Sequence, residues 1–257
     1  MNALLDIMAQ LRRECPWDQA QTPSSLTRYA IEEAYEVEAA VRDGDPNAVC
    51  DELGDLLLQV VFQAQMYQEQ GVFSFADVVA GLQAKLIRRH PHVFAQQHAA
   101  DADAVAQAWD QIKQTEHNGQ RRRLDQVKAG SGLMQAQDLQ KQAAKVGFDW
   151  PDVAGAQAKL HEEITELEQA MAKEDGAAIM DELGDCLFAL VNVARKLNVQ
   201  SEMAILGTVH KFKTRFAYIE DALAKRGLTP EHSNLAEMDL LWEEAKAILR
   251  LSESSHE

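Results

Sequence analysis

The chain has 257 residues, and its 25 Lys and Arg against 41 Asp and Glu give a formal charge of −16, which argues against a sequence-independent grip on nucleic acid, whose phosphates must be met by clustered cations. Its 46% hydrophobic content is enough for two domains of roughly 110 to 130 residues, each with its own core. Helix formers dominate, Gly (13) and Pro (6) are scarce, and no strand alternation stands out, so the expected class is all-α.

In chain order, a first helix is predicted from about Ala3 to Glu14, ending at Cys15-Pro16 because Pro disfavours helical geometry in the residue before it. A Trp17-Asp18 turn follows. The second helix starts with Thr22 as N-cap and Pro23 at the first helical position, and runs to about Arg42. A third spans about Asn47 to Gln70 with Leu53, Leu56, Leu57, Val60 and Ala64 as its apolar stripe, and Gly71 closes it. A fourth, about Ser74 to Arg89, ends in cations and Pro91, and a fifth, about Asp103 to Glu116, carries Trp109 and Lys113. Residues 117–132 mix Gly with a basic run and read as a linker between an N-terminal domain, 1–116, and a C-terminal domain, 133–257. The second domain repeats the order: helices at about 133–145, 153–174, 176–197, 201–225 and 235–251, with the turn Gly147 to Pro151 after the first and the tail SESSHE expected to be disordered.

The most informative feature is a duplication. Glu32-Glu33-x-x-Glu36 with Glu52-x-x-Asp55 recurs 130 residues later as Glu162-Glu163-x-x-Glu166 with Glu182-x-x-Asp185. Acids at i and i+3 share a helix face, so in each half four carboxylates can converge between two antiparallel helices. Carboxylates that close repel one another, and a hard divalent cation held through oxygen, Mg²⁺ or Mn²⁺, is the simplest neutraliser. Gly54 and Gly184 recur inside the acidic helices and suggest a close approach by another backbone or a ligand. The first acid of each triplet, Glu32 or Glu162, sits about 100° around the helix from the next; general base, supporting partner and surface charge all stay open for it. Lys85 and Arg89 answer to Lys211 and Arg215, Trp109 and Lys113 to Trp242 and Lys246, and Trp17 loosely to Trp150. Such cations beside a metal suit a triphosphate, and the indoles suit either core packing or base stacking. His90 and His92 flank Pro91 at a helix end and read as capping or packing groups.

Three cysteines, Cys15, Cys50 and Cys186, form no CxxC and an odd count, which argues for packing roles in a reducing compartment. The N-terminus has no signal-peptide core and no stretch reaches the ~18 to 20 apolar residues of a membrane span, so a cytoplasmic protein is expected.

These acidic motifs, together with CPWDQAQT, RRHPHVF and VGFDW, make the chain resemble the MazG family of tandem-domain nucleoside triphosphate pyrophosphohydrolases, within the all-α NTP pyrophosphatase superfamily. The resemblance covers nearly the whole chain. It implies two tandem helical-bundle domains in a homodimer, and Mg²⁺-dependent hydrolysis of NTPs and dNTPs between the α and β phosphates to a monophosphate and pyrophosphate. Residue by residue, it implies Glu163, Glu166, Glu182 and Asp185 as metal ligands, with Glu33, Glu36, Glu52 and Asp55 matching them in the first half. It implies Lys159, Lys211, Arg215 and Trp242 as nucleotide contacts, with Lys246 a weaker addition. Tyr29 stands where Lys159 does in the second copy, so the second half is expected to be the catalytic one, with Glu162 as a candidate base. Ferritin-like di-iron chemistry needs Glu-x-x-His pairs that these motifs lack, and isoprenoid synthases use Asp-rich clusters in a larger bundle. The non-enzymatic rival is a helical nucleotide-sensing or partner-binding module.

Overall fold

The computed structural model describes residues 2–95, 101, 105, 109 and 122–253, and every regular element among them is a helix. The chain divides into two compact units, Met1–Gly119 and Gln120–Glu257.

In the first unit α1 (Asn2–Glu14) leads into α2 (Pro16–Ala20), then α3 (Pro23–Asp43), α4 (Pro46–Glu69), α5 (Phe75–Arg89) and α6 (Pro91–Phe94). The predicted Trp17-Asp18 turn is therefore one short helix, started by Pro16 at its first position. At the head of α3 Ser25 N–H donates to Thr22 Oγ1 at 3.2 Å while Ser25 Oγ accepts from Thr22 N–H at 2.9 Å, a reciprocal cap that satisfies two otherwise orphaned donors. Gly44, in the left-handed region at φ +77°, ends α3, and Asp45 caps α4 one residue later. This tight reversal lays α3 antiparallel along α4. Met8, Leu26, Val61, Phe62, Ala64, Met66 and Phe75 form the core. Arg12 fastens α1 to the end of α4 through three hydrogen bonds to Glu69, from Nε at 3.1 Å to each oxygen and from Nη2 at 2.7 Å. This pair lowers the Glu69 carboxyl below its ordinary value.

The predicted stripe of α4 is out of phase with the observed core. Ala64 is buried, but Leu53, Leu57 and Val60 are exposed, and Val61, Phe62 and Met66 point inward instead. Residues 56–62 are apolar at every position but Gln59, so periodicity alone cannot choose the phase; contact with α1 and α3 does.

In the second unit a 3₁₀ turn, Arg123–Gln126, precedes α7 (Gly132–Ala144), α8 (Val153–Ala172), α9 (Gly176–Lys196), α10 (Ser201–Ala224) and α11 (Leu235–Glu253), with another 3₁₀ turn at Pro230–His232. Asp152 accepts from Ala154 and Gly155 N–H, and Asp175 accepts from Ala177 and Ala178 N–H, so an aspartate caps each acidic helix of this half. α8 runs along α9, and α10 packs on α11. Ala156, Ala170, Ala189, Val191, Ile219, Leu223 and Ala245 are buried here. Gly155 is a tight point, since a Cβ there would lie 2.8 Å from Trp150 Cε3. Gly155→Ala should therefore destabilise this unit by about 1–3 kcal/mol, read from its chemical denaturation.

Three expectations change at this level. Residues 123–126, assigned to the linker, form a turn that packs on α7. Cys50, expected to pack, is exposed, while Cys15 and Cys186 are half-buried, and all three are free. Among the described residues a Cβ at Gly54 or Gly184 would meet nothing within 4 Å, so none of them makes a close approach at either. The fifth predicted helix, 103–116, lies outside the described residues except at positions 105 and 109, where Trp109 meets His90 edge-on at 5.1 Å. His90 follows the last residue of α5, with its ring Nδ1 2.6 Å from the Leu86 carbonyl.

Candidate active site

In each unit the two acidic helices bring three glutamates together. Glu33, Glu36 and Glu52 offer oxygens all within 4.8 Å of one another, and so do Glu163, Glu166 and Glu182. Asp55 and Asp185 stand beside these trios rather than within them: Asp55 acts on Glu33 electrostatically, and Asp185 lines the cavity that Glu163 also lines. Burial, then the charges of Asp55, Glu36 and Glu52, raises the Glu33 carboxyl. Glu166 is raised likewise, by burial first, then by its hydrogen bond with Glu163 and the charge of Glu182. An all-oxygen donor set whose members resist ionising together fits a hard divalent cation.

The halves then diverge. Lys159, one turn before Glu163, places Nζ 2.7 Å from Glu163 and 2.9 Å from Glu162, and these bonds raise the ammonium pKa. Glu163 is only 5% exposed, so this contact offsets a desolvated charge. Glu162 lies outside the trio with its side chain 58% exposed, joined to it through Lys159. In the first half Tyr29 occupies the Lys159 position, and Trp17 packs against it at 6.4 Å and against buried Phe62 at 6.5 Å between ring centroids. Gln59 reaches Glu33 there at 3.4 Å.

A cavity of about 680 Å³ opens beside the second trio, with Lys159, Glu163 and Asp185 on its wall and Phe148, Trp150 and Phe188 as its aromatic lining. Leu124, from the expected linker, also lines it. Its outer wall is the 147–151 turn, held to the end of α9 by Asp149. Lys196 Nζ donates to Asp149 Oδ2 at 2.8 Å, Arg195 Nη1 donates to the same oxygen at 3.2 Å, and Arg195 Nη2 bonds Asp149 Oδ1. Lys196 also donates to the Trp150 carbonyl. Arg195, then Lys196, holds the Asp149 carboxyl down to about 2 from an ordinary 3.8. A depressed carboxyl stabilises the fold above its unfolded pKa and loses that contribution as pH falls. Between about pH 4 and pH 2 the wild type should therefore lose stability that Asp149→Asn lacks from the outset, seen as a flatter acid limb of Tm against pH.

The other predicted contacts form a separate group on α10 and α11. The Arg215 guanidinium lies over the Trp242 ring at 5.4 Å, Phe212 packs on Trp242 at 5.0 Å, Lys211 is exposed, and Lys246 pairs with Glu243 at 2.7 Å. None of these lines the cavity. Sequence reading passed over Asn192 and Arg195, which do line it. Their signal was available: counted from Asp185, positions 188, 192 and 195 follow at steps of three and four and share one helix face.

Paired helices that gather three glutamates apiece, twice in one all-α chain, define a class of tandem helical proteins built around carboxylate clusters. The MazG nucleotide pyrophosphohydrolase domain matches this chain twice, at residues 21–94 and 153–218. A nucleoside triphosphate pyrophosphohydrolase of Escherichia coli K12 is 42% identical over 254 residues, covering 96% of this chain and 97% of that protein. The nucleoside triphosphate pyrophosphohydrolase/pyrophosphatase MazG of Thermotoga maritima is 40% identical over 248 residues, covering 95% and 94%. A nucleoside triphosphate pyrophosphohydrolase of Mycobacterium tuberculosis is 39% identical over 145 residues, which is 55% of this chain and 44% of that one. The chain belongs to the MazG nucleotide pyrophosphohydrolase family, as two tandem all-α domains.

Proposed function

We propose that this chain is a Mg²⁺-dependent enzyme that hydrolyses NTPs and dNTPs between the α and β phosphates, giving a nucleoside monophosphate and pyrophosphate, with its working site in the second half. One juxtaposition carries the reading: Glu163, a member of the trio with Glu166 and Glu182, lies on the wall of a cavity lined by aromatic rings, and Lys159 on the same wall pairs with it. Glu163, Glu166, Glu182 and Asp185 would hold the cation. Bound there, Mg²⁺ supplies charge neutralisation for the phosphates and a lowered pKa for water. Lys159 then binds phosphate oxygens, and Glu162, outside the trio, accepts the proton of the attacking water. Phe148 and Trp150 cover the nucleoside and exclude solvent; ring stacking tolerates any base, in keeping with broad use of NTPs and dNTPs. Lys211 and Arg215, with Trp242 and Lys246 beside them, meet the nucleotide from outside the cavity and offset charge on departing pyrophosphate.

In the first half Glu33, Glu36, Glu52 and Asp55 keep the cation-binding chemistry, while Tyr29, Phe62 and Trp17 stand where the second half has Lys159, Asn192 and Trp150. That half is a scaffold, or a much weaker site. Apolar side chains left uncovered on α9, among them Met180 at 78% exposure, Leu183, Leu187 and Leu190, supply the motive for a homodimer. A light-scattering mass equal to one chain would refute it. Among the described residues no helix is long and apolar enough to cross a membrane, and the free cysteines suit a cytoplasmic enzyme.

Incubation with ATP and Mg²⁺, with the products resolved, tests the central reading. AMP plus pyrophosphate is expected. ADP plus phosphate rejects it, and nucleotide bound without turnover favours a sensor instead.

A further inference from the structure

We propose that Asn192 is a specificity residue of the cavity: its amide donates a hydrogen bond to the sugar-side acceptor of the nucleobase, and Arg195, fixed by Asp149, sets that orientation. The inference rests on the nucleotide reading above and adds the group that tells a nucleotide from a bare polyphosphate.

The orientation follows from donor chemistry. Arg195 Nε and Nη2 both point at Asn192 Oδ1, at 3.1 and 2.7 Å. A guanidinium has donors and no acceptor, so the Asn192 amide must turn its oxygen to Arg195 and its NH₂ group away. Both side-chain hydrogen bonds of Asn192 run through Oδ1, which leaves Nδ2 as a donor on a residue that lines the cavity. Arg195 cannot swing aside: its side chain is 11% exposed and paired with Asp149, which Lys196 also holds at 2.8 Å. The donor is thus aimed before any ligand arrives, at no further entropic cost on binding.

Position selects the part of the ligand that it meets. Asn192 follows Asp185 by seven residues on the same face of α9, a separation of about 10 Å along the helix. That is the order of the reach from an α-phosphate to the base in an extended nucleotide. With the phosphates at the carboxylate end, Asn192 faces the base or its junction with the sugar. Adenine and guanine carry N3 on that edge and the pyrimidines carry O2, acceptors common to all the ordinary bases. A single donor there rewards the presence of a nucleobase without choosing among them, which matches the broad tolerance proposed above. The first half lacks the device, since Phe62 and Gln65 stand where Asn192 and Arg195 do 130 residues later.

The test is equilibrium binding, so it does not depend on turnover. Calorimetry with Mg²⁺ and the α,β-methylene analogue of ATP, whose α–β bridge resists cleavage, gives Kd for wild type, Asn192→Leu and Asn192→Asp. Both variants should bind at least tenfold more weakly, while inorganic tripolyphosphate, which has no base, binds Asn192→Leu as it binds wild type. The second ligand also reports whether the fold and the anion end survive. The corresponding 3-deaza analogue, lacking N3, should bind wild type about as weakly as the normal analogue binds Asn192→Leu. Arg195→Met should weaken the normal analogue as well, and add nothing in the Asn192→Leu background. Unchanged affinity in both Asn192 variants overturns the proposal, as does an equal loss for tripolyphosphate. Additive losses in the double variant overturn the role of Arg195. Wild type that binds the analogue and cleaves ATP to ADP sinks the hydrolytic reading alone, whereas wild type that binds no nucleotide sinks both.

Discussion

Turnover of ATP to AMP by Glu182→Gln should fall about 10²–10³-fold at saturating Mg²⁺, measured as pyrophosphate released. The size follows from what the substitution removes. Glu182 comes from α9, whereas Glu163 and Glu166 come from α8, so the trio loses its only member from the second helix. Glutamine keeps the volume and the helix propensity but not the charge, so the fold should be spared while the proposed cation would lose its hold. Raising Mg²⁺ should recover little, because weak occupancy can be overcome by concentration while a misplaced cation cannot. Glu52→Gln, the matching change in the first half, should produce much the smaller loss. Equal losses from the two substitutions would place working sites in both halves, and no loss from Glu182→Gln would remove the carboxylate trio from the reaction.

Leu26→Ala should lower the stability of the first unit by about 2–5 kcal/mol, the range for a large core side chain cut to Ala. Leu26 is 1% exposed and sits in a cluster with Met8, Val61, Phe62 and Met66 drawn from three helices, so a cavity left there cannot close without moving α3 against α4. Denaturant unfolding followed by circular dichroism should resolve this as an earlier transition for part of the signal, the remainder staying in place. Pyrophosphate release at 25 °C, read at the same time, should persist because the proposed working site draws its residues from the other unit. A single transition that shifts as a whole would show the two cores to be one cooperative system.

Much of the architecture was legible from local rules. Cys15-Pro16 and Thr22-Pro23 mark helix boundaries through backbone geometry and orphaned N–H groups, and these act within a few residues of the chain. The 130-residue recurrence of the glutamates likewise located both acidic clusters, because helical spacing converts i and i+3 into a shared face. Local rules failed where neighbours decide. The stripe of α4 was misjudged because an apolar run offers several phases. Cys50 was expected to pack and is exposed, since nothing in its flanks says which face turns inward. Leu124 looked like part of a linker because a single apolar residue has no period to detect.

Spacing along the chain thus determined the duplication and, through 3.6-residue periodicity, the helices and which acids share a face on each, whereas four carboxylates were expected to converge where three glutamates do. Tertiary packing alone decided what stands beside each trio. Trp17 packs on Tyr29 and Phe62 in the first unit, while in the second Asp149 ties the 147–151 turn beside a cavity to Arg195 and Lys196, 46 and 47 residues further along the chain. A cavity is the space left between segments remote in sequence, so its presence depends on how those segments close on one another and not on any short stretch of residues.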